Sequence, residues 1–222
     1  MRLLLPLLLA CGDAPPPAPT PAAPVAAPAP VAQGPRVVFL GDSLTAGYGL
    51  AADLAWPAVL SRQLAAQGAP IAMVNAGLSG DTSAGGLRRL DWLLQQKPDV
   101  LVLALGANDM LRGLPVADCK ENLRQIAARA SAAGAKVILA GMKANPTLGP
   151  EYEAAFNAIY PDLSAELQLP LVPFLLDGVA GVPALTQPDG LHPTAEGQEK
   201  IAALVLPVLA PVLRAIPTSP SR

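Results

Sequence analysis

Between residues 36 and 213, short and wholly apolar runs alternate with longer amphipathic stretches. The runs are Val37–Leu40, Ile71–Val74, Val100–Leu105, Val137–Ala140 and Leu171–Pro173. They are too short for helices. A strand that is apolar on both sides has to be buried on both faces, as parallel strands between helix layers are. The intervening stretches predict helices over Trp56–Gln67, Ser83–Gln96, Pro115–Ala133, Glu151–Leu167 and Thr194–Leu213. In the second of these, Leu87, Leu90, Leu93 and Leu94 recur at helical spacing. Asp53 is expected to cap the first helix, with Pro57 in its first turn, and Thr194 the last. Gly134 marks the end of the third. Strand–helix alternation of this kind predicts an α/β three-layer sandwich. In such sheets the working residues gather at the carboxyl ends of the strands. No internal repeat and no second domain is evident.

The 222 residues, 52% of them hydrophobic, suffice for one well-buried core. Fifteen basic and 17 acidic residues are scattered along the chain. No basic stripe forms, so nucleic acid is not an expected partner. Residues 1–11 have the order of an export signal: Arg2, an apolar run from Leu3 to Leu9, then Ala10 and Cys11. That run is far shorter than the ~20 residues a membrane-spanning helix needs. Leu8-Leu9-Ala10-Cys11 resembles the lipobox of bacterial lipoproteins, which implies lipidation and membrane attachment through Cys11. A plain secretory signal, or a Leu-rich start on a cytoplasmic protein, are the other readings. Residues 12–35 are rich in Ala and Pro and are expected to form an extended, semi-rigid spacer. A disordered tail is expected from residue 214. The export reading is the expected one, and it makes the chain a periplasmic protein or membrane-anchored lipoprotein of a bacterium. With Cys11 lipidated or removed, Cys119 has no partner within the chain, and reads as a half-buried structural thiol.

His192 is the single histidine. A zinc site of the usual kind needs several His or Cys ligands, and none cluster. Any imidazole base has to be His192. Asp189, three residues earlier in a turn-rich loop, can approach the same imidazole and hold its tautomer. Taken alone, the pair also reads as a loop histidine with an incidental neighbour. Gly41-Asp42-Ser43 follows the first apolar run directly, which puts Ser43 at the carboxyl edge of the sheet. On that stretch alone Ser43 reads equally as a nucleophile or as a helix cap. Asn75 to Thr82 and Gly106 to Asp109 follow the second and third runs. They carry glycine N–H groups and an Asn amide of the kind an oxyanion hole uses, although tight turns use glycine too.

These blocks together resemble the GDSL or SGNH hydrolase superfamily, and within it the thioesterase I and arylesterase-type lipolytic enzymes. Gly41-Asp42-Ser43-Leu44 matches the first block, Asn75–Thr82 the second, Gly106-Ala107-Asn108-Asp109 the third and Asp189-Gly190-Leu191-His192 the last. Similarity extends through Leu111-Arg112-Gly113 and Asn157 to Pro161. Ala107 stands where relatives often have a second glycine, and the loop Gly141–Pro150 resembles the arylesterase-like branch. The resemblance implies a three-layer α/β/α sandwich with a central five-stranded parallel sheet of the flavodoxin-like SGNH type. It assigns Ser43 as nucleophile, His192 as base and Asp189 as acid. The oxyanion donors are the Ser43 and Gly80 N–H groups and the Asn108 amide. A helix begun at Ser43 would set partial positive charge beside that residue.

The implied activity is hydrolysis of a small-molecule ester or thioester through an acyl-enzyme, as in arylesterases, acyl-thioesterases and lysophospholipases. A monomer is expected, with no cofactor and no metal. A carbohydrate acetylesterase acting on envelope glycans and a non-catalytic envelope-binding module on the same fold are the rival readings. The chain lacks a Gly-x-Ser-x-Gly elbow, a P-loop ending and a dinucleotide glycine pattern.

Overall fold

All five apolar runs form strands: β1 (Arg36–Gly41), β2 (Ala72–Gly77), β3 (Val100–Ala104), β4 (Lys136–Ala140) and β5 (Leu171–Val172). They pair in parallel in the order β2-β1-β3-β4-β5. The structure is a computed structural model describing residues 34–217; the expected signal, Cys11 and spacer up to residue 33, and residues 218–222, lie outside the described residues. The helices are α1 (Ser43–Ala46), α2 (Trp56–Ala66), α3 (Ser83–Leu94), α4 (Ala107–Leu111), α5 (Val116–Ala132), α6 (Pro150–Leu167) and α7 (Ala195–Arg214). One layer is α2 packed on α7; α3, α5 and α6 pack as a second. The five-stranded α/β/α sandwich is therefore present. Val37 to Leu40 and Val100 to Val102 have no exposed surface, as strands covered on both faces require.

The strand order reverses between β1 and β3, since the chain leaves β1 toward β2 and returns to β3 on the other side. A crevice opens beyond the carboxyl ends at such a switch point. Ser43 follows β1 there and Asn108 follows β3.

Three local differences from the sequence reading have physical causes. β2 continues to Gly77 rather than ending at Val74. Asn75 does not turn the chain: its amide donates to the Thr45 carbonyl and its side-chain oxygen accepts from the Gly77 N–H. Asp53 does not cap α2; Ala55 occupies that position, and Asp53 lies in a 3-10 turn over Ala52–Leu54. The Trp56 N–H donates instead to the buried Gln198 side chain from α7, 2.9 Å away. The third difference is α4, a short helix not expected from the sequence. Thr194 caps α7 as expected, accepting from the Gly197 N–H. Pro161, Pro207 and Pro211 lie inside helices but on their exposed sides.

Cys119 is buried at 1% exposure rather than half-buried. Burial, with Asp109 nearby, pushes its thiol up to about 12, which keeps it an inert packing group.

Leu101, fully buried in the central strand β3, probes the core without touching the crevice. Leu101→Ala is expected to cost ~2–5 kcal/mol in denaturant unfolding. A cost under ~1 kcal/mol would contradict a close-packed sheet centre.

Candidate active site

Ser43 is the first residue of α1, so its N–H precedes the helical ladder and is free of intrahelical bonding. The capping function belongs to Asp42, whose Oδ1 accepts from the Leu44 N–H at 3.0 Å. Ser43 Oγ is thereby left for His192, whose Nε2 lies 2.9 Å away although 149 residues separate the two in sequence. On the other side of the ring, Nδ1 lies 2.6 Å from Asp189 Oδ2. An ionised carboxylate only accepts, so Nδ1 carries the proton and Nε2 is the acceptor for the serine hydroxyl.

Asp189 is set by its own turn. Its Oδ1 accepts from the N–H groups of Leu191 and His192, both at 2.9 Å. The His192 N–H, then its ring, then the Leu191 N–H hold this carboxyl down at about 2. It stays ionised because hydrogen bonds stabilise its charge and its side chain, 42% exposed, keeps contact with solvent. Gln187 ties this loop to the serine side, donating to the carbonyls of Tyr48 and Pro193 at 2.7 and 2.9 Å. The Tyr48 ring lies against His192 with centroids 4.5 Å apart.

Gly80 and Asn108 line the same cleft as Ser43 and His192. The Asn108 amide donates to Asp42 Oδ2 at 3.3 Å. A carboxylate can only meet the NH₂ edge of that amide, so one amide hydrogen is engaged and the second is spare. Gly106, at the start of this turn, has φ +116° and no room for a side chain: a Cβ would stand 2.2 Å from the Tyr160 hydroxyl. That hydroxyl donates to the Leu105 carbonyl at 2.7 Å and anchors the end of β3. Behind the site, buried Asp109 accepts from the Ser83 hydroxyl and N–H at 2.6 and 2.8 Å. It links α4 to the N-terminus of α3, where a carboxylate is favoured.

The structure therefore brings together every expected site residue within its bounds: Ser43, Gly80, Asn108, Asp189 and His192. Sequence reading passed over Asp42, Tyr48, Gln187 and the Ser83–Asp109 pair. Asp42 adjoins Ser43, Tyr48 follows it by five residues, and Asp109 adjoins Asn108. That adjacency was the available signal, but their partners are remote in sequence. The cleft encloses about 820 Å³. Met110, Leu111, Met142, Phe174, Leu176 and Leu191 give it largely apolar walls.

A five-stranded parallel sheet with hydrogen-bonded Ser43, His192 and Asp189 at its switch point has the architecture of the SGNH-type hydrolases. Residues 39–200 match the GDSL-like lipase/acylhydrolase family, and the chain belongs to that family. It is 44% identical over 178 residues to esterase TesA of Pseudomonas aeruginosa, covering 80% of this chain and 89% of that protein. It is 40% identical over 178 residues to the thioesterase 1/protease 1/lysophospholipase L1 of Escherichia coli strain K12, covering 80% of this chain and 84% of that protein. Among solved structures it resembles psychrotrophic esterase EstA from Pseudoalteromonas sp., inhibited by monoethylphosphonate. There the TM-score is 0.77 and the identity 35%, covering 81% of this chain and 98% of that one.

Asp42 sets a measurable pH dependence. Burial raises its carboxyl from 3.8 to about 6, against the opposing pull of the Leu44 N–H, Asn108 and His192. The folded state thus holds the proton more tightly than the unfolded chain. This group's contribution to stability is largest below pH ~4 and declines until the folded pKa is passed near pH ~6, a change of ~3 kcal/mol at most. Asp42→Asn, which keeps an oxygen for the Leu44 cap, should gain stability relative to wild type across pH 4–6.5 in denaturant titrations. A pH-independent difference would contradict the buried carboxylate.

Proposed function

We propose that the chain is a serine esterase that hydrolyses carboxylic esters or thioesters through an acyl-enzyme on Ser43. The observation that carries this reading is the continuous relay from Asp189 through His192 to Ser43, with bonds of 2.6 and 2.9 Å. His192 Nε2 takes the Ser43 proton as Oγ attacks the acyl carbonyl carbon. The N–H groups of Ser43 and Gly80 and the spare Asn108 hydrogen receive the developing oxyanion. His192 then returns its proton to the leaving alcohol or thiol, and water repeats the sequence against the acyl-serine. Asp189 holds the imidazole tautomer and stabilises its charged form.

The apolar walls favour acyl chains over glycans as the group held in the cleft. Two relatives carry matching names, an esterase and a thioesterase/lysophospholipase, and support the same class. The proposed machinery is complete within one chain, so action as a monomer needs no residue from a second copy. The basic–apolar–small order of residues 2–11 supports export, with Cys11 as a lipid anchor.

Ser43→Ala should abolish hydrolysis of p-nitrophenyl butyrate and labelling by a fluorophosphonate, and Asn108→Ala should lower kcat ~10²–10³-fold. Full activity in Ser43→Ala would sink the acyl-enzyme. Absence of labelling in the wild type would favour a binding module. Each buried methylene is worth ~0.8 kcal/mol, so kcat/KM should climb from acetate to hexanoate esters; faster turnover of acetylated glycans would favour the carbohydrate esterase instead. Cys11→Ser in the full chain should move the protein from the membrane fraction to the soluble fraction, and an unchanged distribution would refute the anchor.

A further inference from the structure

Arg89, on α3, reaches away from its own helix to three acceptors on the carboxyl edge of the sheet. Its Nε donates to Asp81 Oδ2 at 2.8 Å, one terminal nitrogen to the Ala76 carbonyl at 2.7 Å and the other to the Gly41 carbonyl at 3.0 Å. Gly41 ends β1 immediately before Asp42 and Ser43, and Ala76 lies at the end of β2. Asp81 follows Gly80 directly. The Gly41 carbonyl also accepts from the Leu78 N–H at 3.1 Å, so it is already the tie between β1 and the Gly80 turn. One planar guanidinium thus spans the peptide that delivers Ser43, the strand before Gly80 and the turn that holds Gly80.

The surroundings are shaped to keep this group in place. Asp81 fits only because Gly85 lacks a side chain: a Cβ there would stand 1.7 Å from Asp81 Oδ1. The Asp81 side chain is 8% exposed and that of Arg89 21%, so the pair is shielded from the solvent that weakens surface ion pairs. No other feature of the serine–histidine relay involves Arg89.

We infer that Arg89 is a positioning residue for the proposed oxyanion hole, fixing the Ser43 N–H and the Gly80 N–H relative to one another through Gly41, Ala76 and Asp81. The inference rests on the esterase reading above. Arg89 does not line the cleft. Its effect passes through the backbone on which both donors stand, and donors displaced by ~1 Å can lose ~10²-fold in rate. Lysine cannot replace it, because a single ammonium does not present three donors in one plane.

Kinetics on p-nitrophenyl butyrate, with fluorophosphonate labelling of Ser43, tests the assignment in Arg89→Ala, Arg89→Lys and Asp81→Asn. Arg89→Ala and Arg89→Lys should lose ~10–100-fold in kcat with KM within about twofold of wild type, because what is lost is the placement of donors that act in the transition state. Labelling should slow in parallel, Asp81→Asn should show a smaller loss, and added methylguanidinium should restore part of the Arg89→Ala rate. Arg62→Ala, which removes an exposed arginine bonded to the Asp53 carbonyl, should leave kcat intact. If Arg89→Ala folds poorly, Arg89→Lys carries the test. Wild-type kcat and labelling rates in a folded Arg89 variant, with only a lowered melting temperature, would overturn the inference. Inert wild-type enzyme would instead overturn the esterase reading itself.

Discussion

The parallel register of β1 with its two neighbours is the constraint on which the site depends. Gly41 pairs with Gly77 on one side and Ala104 on the other, so three strands end at one level. Ser43 lies two residues past its strand end, Gly80 three and Asn108 four. Slipping β1 by one residue would invert its side chains relative to the core and move the serine by a strand step of ~3.3 Å. The apolar stretches Val37–Leu40 of β1 and Val100–Ala104 of β3 do not fix that register by themselves, because both faces look alike to a hydrophobic environment. The pinning comes from polar groups just beyond the sheet: Asn75 to Thr45, Leu78 and Arg89 to Gly41, and Tyr160 to Leu105.

Those pins cost something to bury. Asp42 and Asp109 are 1% and 2% exposed, and each is compensated by hydrogen bonds rather than by a cation alone. Removing one partner from such a group leaves the other unsatisfied, which is worse than having neither. The polar layer at the carboxyl edge therefore behaves as a connected unit, in contrast to the sheet centre, where single apolar residues make separable contributions. Arg89 belongs to this layer and joins the serine strand to the Gly80 turn.

The fold was legible because its strands are short, apolar and evenly spaced, so element types followed from periodicity and the parallel sheet from double-sided burial. Boundaries were less legible where a distant residue does the local work. Asp53 had the composition of a cap for α2, yet Gln198 supplies the acceptor from 142 residues away. Asn75 read as a turn residue because sequence does not display the Thr45 carbonyl that keeps it in the strand. Within the site, the lone histidine with an aspartate three residues before it read equally as an incidental loop pair, and only together with the Ser43, Gly80 and Asn108 blocks did it point to a catalytic arrangement. Asp42 was illegible as the helix cap beside Ser43 because either residue type can cap. The fold alone decides that Asp42 turns back to Leu44 and Ser43 toward His192.

Two carboxylates near His192 are driven in opposite directions by their surroundings, and this separates their roles. Asp189 is partly exposed, yet three hydrogen bonds, two from main-chain N–H groups and one from the ring, hold it at about 2. Asp42 is buried, and desolvation lifts it to about 6 even though it also accepts hydrogen bonds. In the proposed mechanism, the carboxylate that supports a transiently charged imidazole has to remain ionised throughout turnover, which suits Asp189 and not Asp42. If Asp42 were the imidazole's partner, its proton affinity would compete with the ring for the very proton the serine gives up. Placing the low-pKa acid on the solvent side and the high-pKa acid beneath the helix start avoids that competition. It also leaves Asp42 free to hold Asn108, the proposed oxyanion donor, by the one amide hydrogen that the substrate does not need.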